Sequence, residues 1–311
     1  MPSDELSDRV PVRNEQRIVS DAAREPDDVL ASPIPEDSVE DDCDDSDDWD
    51  EENWDETGTP QAGPGTELST LLNTTVTVDD PVTIPLLRNG ALEIHGRMPW
   101  SSNGTYLVSL DDGSNRTQGI YKPQSGERPL WDFPNGLWQR EVATYELAEW
   151  LDWHVVPPTI IRRDGPLGIG SLQWFVPSDY TAHYFTMKDE PVLRRGLEQI
   201  CLLDIVANNT DRKGGHCLLG EDGRVWAIDN GLSFHAEFKL RTVLWDFAGE
   251  SIPTELIEGL GRLLDDGLPP GFVELLDPFE RDAIRTRANA VISGGVFPSD
   301  PTGRRYPWPL V

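Results

Sequence analysis

Two short stretches hold the residues whose types and spacing bear on chemistry. Ile205–His216 reads I-V-A-N-N-T-D-R-K-G-G-H, and Ala227–Gly231 reads A-I-D-N-G. Asp211 stands in a polar turn just past an apolar helical pattern. A loop carboxylate there can orient an attacking hydroxyl and accept its proton. Asp229 ends a short apolar strand, where a carboxylate can hold Mg2+, an ion that takes oxygen ligands and bridges phosphates. Either Asp alone reads as a cap or turn residue. The two together, separated by the hairpin signal Glu221-Asp222-Gly223, read as the base and the metal ligand of a kinase-like phosphotransferase. Arg212, beside the first Asp, is placed to brace the loop or to meet phosphates.

Further upstream, Lys122 sits in the apolar stretch Gly119–Pro123. An ammonium is costly to bury unpaired, so an interior Lys calls for a partner. Glu141, in the early turns of the following helical pattern, is the candidate; Glu146 and Glu149 share that helix. A strand Lys held by a helix Glu and reaching phosphates is the kinase arrangement. An outward-pointing Lys on a half-exposed strand is the plainer reading. Ser102-Asn103-Gly104 lies in a turn of small residues between two strands, where backbone N–H groups can approach a phosphate; it also reads as an ordinary hairpin. His216 falls where a second metal ligand is expected. Imidazole is a poor Mg2+ ligand, so it reads as a Mn2+ ligand, a water contact or a loop closure.

These residues need elements to position them. Alternation predicts strands at Leu92–Gly96, Thr105–Leu110 and Gln118–Pro123, with turns at Pro99–Gly104 and Asp111–Gly113. Helical spacing runs over Leu137–Trp153, strands over Val155–Arg163 and Gly170–Val176, and Pro177-Ser178-Asp179 reads as a hinge. A buried helix at Pro191–Ala207 ends at Asn208-Asn209, followed by Cys217–Leu219 and Arg224–Ile228 as a hairpin. Thr254–Leu264, Phe272–Leu276 and Pro278–Ile292 read as helices, and Glu67–Leu72 as a short one. The order predicts a β-rich lobe over 67–177 and a helical lobe over 178–311.

Charge divides the chain differently. Residues 1–60 carry 22 acidic and four basic residues, and so contribute −18 of the net charge of −30. From Glu36 to Glu56 there are 14 carboxylates and no Lys or Arg. Such a run repels itself and cannot bury enough apolar surface to offset its ordering entropy, so residues 1–66 read as a disordered acidic tail. It reads as a solubilising tail, or as a segment that binds a basic partner or the protein's own active site, with Trp49 and Trp54 as anchors and Ser38 and Ser46 as phosphosites. The charge argues against nucleic acid as a partner. Cys43, Cys201 and Cys217 share no metal or redox spacing, which fits a reducing compartment. No apolar leader or span of membrane length is present, and the expectation is a cytoplasmic protein.

Asn209-Thr210-Asp211-Arg212 followed by Asp229-Asn230-Gly231 resembles the phosphatidylinositol 3-/4-kinase-like superfamily, which includes lipid kinases, HipA-type kinases and actin-fragmin kinase. Tyr121-Lys122-Pro123, Gly126–Pro134, Arg140–Ala143 and Val156–Thr159 look like an uncharacterised actinobacterial branch of it. The resemblance spans about Leu86 to Phe247. It implies an α+β, two-lobed protein-kinase-like fold, ATP and Mg2+ (or Mn2+) as cofactors, and an unknown protein or small-molecule acceptor. By the same resemblance Lys122 is the nucleotide Lys, Glu141 its partner, Asp211 the catalytic Asp and Asp229 the metal Asp. Two departures stand out. The pattern D-R-H-x-x-N is here Asp211–His216 with His in place of Asn, and D-F-G is Asp229-Asn230-Gly231. The alternative to an active kinase is a nucleotide-binding pseudokinase that serves as an interaction or regulatory module.

Overall fold

A computed structural model describes residues 74–98 and 101–311. The expectations for residues 1–66, for a helix at Glu67–Leu72 and for the turn at Pro99-Trp100 fall outside the described residues. Alternating sequence forms β1 (Ala91–Arg97), β2 (Tyr106–Asp111) and β3 (Arg116–Pro123), joined by β4 (Thr159–Gly165) and β5 (Gly168–Trp174). They make one antiparallel sheet of order β1-β2-β3-β5-β4. The central position of β3 sets Lys122 opposite Ser171 of β5. Gly170, one step along, lies so close to β3 that a Cβ there would meet the Lys122 carbonyl oxygen at 2.3 Å. That glycine is required by packing.

The sequence pattern showed no helix at α1 (Thr83–Asn89), which covers this sheet with Leu86 and Leu87 buried. Seven residues are too few to display a period, and Pro85 is tolerated because first-turn N–H groups have no helical partner. Its C-terminal carbonyls are satisfied from afar. The buried Arg162 of β4 donates to the oxygens of Leu87 and Gly90, both at 2.9 Å. Helix α2 (Leu137–Trp150) is also capped at a distance: the Glu127 carboxylate accepts the N–H of Gly136 at 3.0 Å and of Trp138 at 2.7 Å.

Beyond Val176 the chain forms a second sheet of order β6-β7-β8 from Ser178–Asp179, Cys217–Gly220 and Val225–Ala227. The segment read as a hinge thus supplies an edge strand. The same part of the chain forms α3 (Tyr184–Met187), α4 (Arg194–Ala207), α5 (Thr254–Asp266), α6 (Phe272–Leu275) and α7 (Pro278–Gly294). Helix α7 begins with Pro278 after Asp277, whose carboxylate accepts the N–H of Phe279 and Glu280, while Glu280 returns to the Asp277 N–H at 3.0 Å.

Two apolar cores result. The larger joins Val142 and Leu147 of α2 to Leu197, Ile200 and Leu203 of α4 and to residues of α5, α6 and α7. The other joins the first sheet and α1 to Leu218 and Trp226 of β7 and β8. Each core therefore takes residues from both sides of position 178. A Leu or Val fully buried this way contributes roughly 1.5–3 kcal/mol. Cys201 and Cys217 are free thiols inside the larger core. Among the described residues no helix is long and apolar enough to cross a membrane.

Candidate active site

Helix α4 ends at Asn208, which adopts a left-handed conformation with φ +58°. Its amide then holds the chain that returns past the helix end, donating to the oxygens of His235 and Glu237 and accepting the N–H of Lys239. The next residue, Asn209, accepts the Asp211 N–H on its Oδ1 at 2.9 Å. This Asx turn points Asp211 into the cleft between the first sheet and the helices.

Of the two roles expected for Arg212, bracing the loop or meeting phosphates, its position fits the first and not the second, because it does not line that cleft. Its side chain is completely buried. The guanidinium donates to both oxygens of Asp204 on α4, to the Ile228 oxygen at 2.6 Å and to Asn230 Oδ1 at 2.5 Å. A buried ion pair is tolerated only when its hydrogen-bonding capacity is met, and here the Arg fork is used on three elements at once. It ties α4, the Asp211 loop and the end of β8 together, and so fixes the spacing between Asp211 and Asp229 from beneath.

Asp229 has φ +55°, a left-handed conformation that costs a non-glycine residue energy and persists only where neighbours hold it. Asn230 is the neighbour. It is fully buried, takes the Arg212 bond, donates from its side chain to the Ala227 oxygen at 3.2 Å and from its backbone to Glu141 Oε2 at 3.0 Å. The Asn of Asp-Asn-Gly is thus an internal anchor that leaves the Asp229 carboxylate about half exposed.

Lys122 lies between the carboxylates of Glu141 and Asp229, 2.8 Å from Asp229 Oδ1 and hydrogen-bonded to Glu141 Oε1. Burial alone would push the ammonium down; Asp229 and Glu141 reverse that and hold it above its ordinary value. Lys122 in turn holds the Asp229 carboxyl well below the usual carboxylate range. Glu146 and Glu149 make no such contact: the Lys122 pair is with Glu141.

Burial raises the Asp211 carboxyl, and the Lys213 ammonium, 3.0 Å from its Oδ2, opposes the rise. Lys213 lines the same cleft and escaped the sequence reading, although a cation two residues past a candidate base was a signal within reach. His216 donates from Nδ1 to the Asp211 carbonyl oxygen at 3.0 Å and places Nε2 3.5 Å from Asp229 Oδ2. Burial lowers its pKa to about 4, so the ring is neutral at ordinary pH.

One cavity of about 400 Å³ brings these groups together. Lys122, Glu141, Asp211, Lys213, His216 and Asp229 form its polar end, and Ile120, Trp138, Val176, Leu218 and Ile228 are among its apolar wall. Ser102, Asn103 and Gly104 border it from the β1–β2 connection. That connection is pinned. Gly104 donates its N–H to the Gly126 oxygen at 2.8 Å, and a Cβ on Gly104 would meet Gly126 Cα at 2.9 Å. Asn103 Oδ1 accepts the Arg128 N–H, so its side chain braces the next loop.

The family model described as phosphatidylinositol 3- and 4-kinase matches residues 155–273. The chain is 38% identical over 261 residues to Protein Rv2133c of Mycobacterium tuberculosis, a match covering 72% of this chain and 94% of that protein. Among solved structures it is similar to hydra Fam20 with sugar, with a TM-score of 0.47 and 12% identity over 74% of this chain and 95% of that one. It is also similar to the Golgi casein kinase with Mn/ADP bound, with a TM-score of 0.43 and 17% identity over 73% and 79%. The chain belongs to the phosphatidylinositol 3-/4-kinase-like superfamily.

Proposed function

We propose that the protein is an ATP-dependent phosphotransferase acting on a protein Ser or Thr hydroxyl. The observation that supports this best is the convergence of Lys122, Glu141, Asp211 and Asp229, from four separate elements, at the polar end of one apolar-walled cavity. Such a cavity suits a purine against its wall and phosphates at its charged end. In this reading Glu141 holds the Lys122 ammonium in place, and Lys122 orients phosphate oxygens. Asp211, raised by its burial, takes the proton from the acceptor hydroxyl. Lys213 is placed to meet the transferred group. Ser102, Asn103 and Gly104 border the phosphate side.

The donor set also suits a divalent cation. Asp229 offers an exposed carboxylate with Oδ1 on Lys122 and Oδ2 facing His216 Nε2. Among the described residues no group of three or more His, Cys, Asp or Glu is arranged to hold a metal ion by itself, so phosphate oxygens and water would complete the coordination. A bound ion there would neutralise charge on the phosphates.

A protein acceptor is favoured over an inositol lipid. Leu232–Phe247 carries only Lys239 and Arg241 as fixed positive charges, and Lys239 is engaged with the Asp132 backbone oxygen at 2.6 Å. A headgroup bearing several phosphates calls for more. The second reading, a nucleotide-binding pseudokinase, is supported by His216 standing where the resemblance expects Asn. Incubation of the full chain with γ-labelled ATP and Mg2+ or Mn2+, a mixed protein pool and inositol-lipid vesicles separates these readings. Label on Ser or Thr of protein and none in lipid is expected. Thermal stabilisation by ATP without any transfer would establish the binding module instead.

A further inference from the structure

The contacts of His216 define more than a departure from the family pattern. The Asp211 carbonyl oxygen has only lone pairs, so the Nδ1 atom 3.0 Å from it carries the ring proton. The Lys213 N–H also approaches Nδ1, but at 3.4 Å. Were that the governing bond, Nδ1 and the carbonyl would face each other lone pair to lone pair at the shorter distance, so the carbonyl contact decides. Nε2 is then bare. It faces Asp229 Oδ2, also a bare donor, at 3.5 Å, beyond the range of an N–H···O bond. No proton bridges them. Two electron-rich atoms facing each other across such a gap are a pair that a cation completes. An ion about 2.1–2.2 Å from each would see them at somewhat more than a right angle.

We propose, on the reading of the cavity as a nucleotide site, that His216 Nε2 and Asp229 Oδ2 form a divalent-cation site that prefers a transition-metal ion such as Mn2+ to Mg2+. The ring is held as metal-bound imidazoles are held, its other nitrogen donating to a backbone carbonyl. That bond fixes both the tautomer and the aim of Nε2. Asp229 is aimed by the left-handed backbone that Asn230 anchors, and Lys122 takes its Oδ1, leaving Oδ2 for the ion. The selectivity follows from the donor atoms. Mg2+ demands octahedral oxygen ligands and gives up water reluctantly, whereas an imidazole nitrogen suits borderline ions. Asn in this position would restore an all-oxygen pair. The nearby ammonium groups of Lys122 and Lys213 oppose any bound cation, which makes the quality of the two donors decisive.

The test is magnetic resonance of the full chain loaded with Mn2+ and ADP. Pulsed electron-spin-echo measurement reads nitrogen bound to Mn2+, and protein labelled with [15N]histidine separates imidazole from adenine nitrogen. A histidine nitrogen coupling in the native chain, lost in His216→Asn with Mn2+ still bound, is the expected result. His216 is the histidine that borders this cavity. Titrating each metal at fixed ADP, with thermal stabilisation as the readout, adds the selectivity. The native chain is expected to respond to Mn2+ at a concentration about tenfold or more below that for Mg2+, and His216→Asn to lose most of that ratio. Bound Mn2+ without histidine coupling, an equal ratio in both proteins, or failure to bind Mn2+ overturns the proposal. Should His216→Asn not fold, the labelled native chain alone decides. Histidine coupling without phosphoryl transfer would refute the kinase reading and leave the metal site standing; transfer with an all-oxygen ion would do the reverse.

Discussion

Asp211 and His216 sit side by side and titrate in opposite directions, because burial penalises whichever form is charged. The Asp211 carboxyl is raised, with Lys213 as the neighbour that restrains it. A base must be deprotonated to work, so the transfer rate should fall as pH drops through a value above the ordinary carboxylate range. Lys213→Ala removes the restraint and should move that acid limb further up; a limb that stays put in a pH–rate profile would show that the ion pair does not set it. His216 carries a stability term of definite sign. Its folded pKa is about 4 against an ordinary 6.5, so below 6.5 the unfolded chain binds a proton that the folded one refuses. The resulting stability is present in full above 6.5 and is lost as pH falls toward 4, at on the order of 1 kcal/mol per unit. Metal-free urea unfolding at pH 7 and pH 5 should show a smaller difference for His216→Asn than for the native chain.

At the scale of elements, α2 is the part on which the larger core and the site both depend. Glu141 faces Lys122, while the preceding residue, Arg140, is buried against Glu280 at the start of α7, with both side chains 4% exposed. Removing one partner of such a pair leaves a buried charge. Glu280→Ala should therefore cost about 3–5 kcal/mol in urea unfolding, whereas replacing both residues by apolar ones of similar size should cost much less. A loss below about 1 kcal/mol for the single change would show that water reaches Arg140. The same long-range bonds explain what was legible in the sequence. Strands β1, β2 and β3, helix α4 and the pair Asp211 and Asp229 are written in local periodicity and turn chemistry. The distant caps of α1 and α2 and the burial of Arg212 are not, because Arg162, Glu127 and Asp204 act across tertiary space. Arg212 beside a candidate base suits either bracing the loop or meeting phosphates; only the fold, which buries it against Asp204, decides for the first.

At the scale of the whole molecule, charge and fold are separable. Residues 1–60 hold −18 of the net −30 and leave −12 to the rest. We propose that they serve as a solubilising segment. A chain beginning at residue 61 should keep its thermal midpoint within roughly 2 °C and its rate at saturating ATP. A faster rate would instead reveal that the acidic run occupies the active site. In the proposed function, Lys122, Glu141 and Asp229 bind the nucleotide and its ion in the cavity, and Asp211 acts on the acceptor. Asp211→Asn keeps the shape and removes the base. The most direct test compares it with the native chain for ATP-dependent thermal stabilisation and for γ-phosphoryl transfer in the same preparation. Stabilisation should persist while transfer falls by about 100-fold or more. Transfer undiminished in Asp211→Asn would contradict the account.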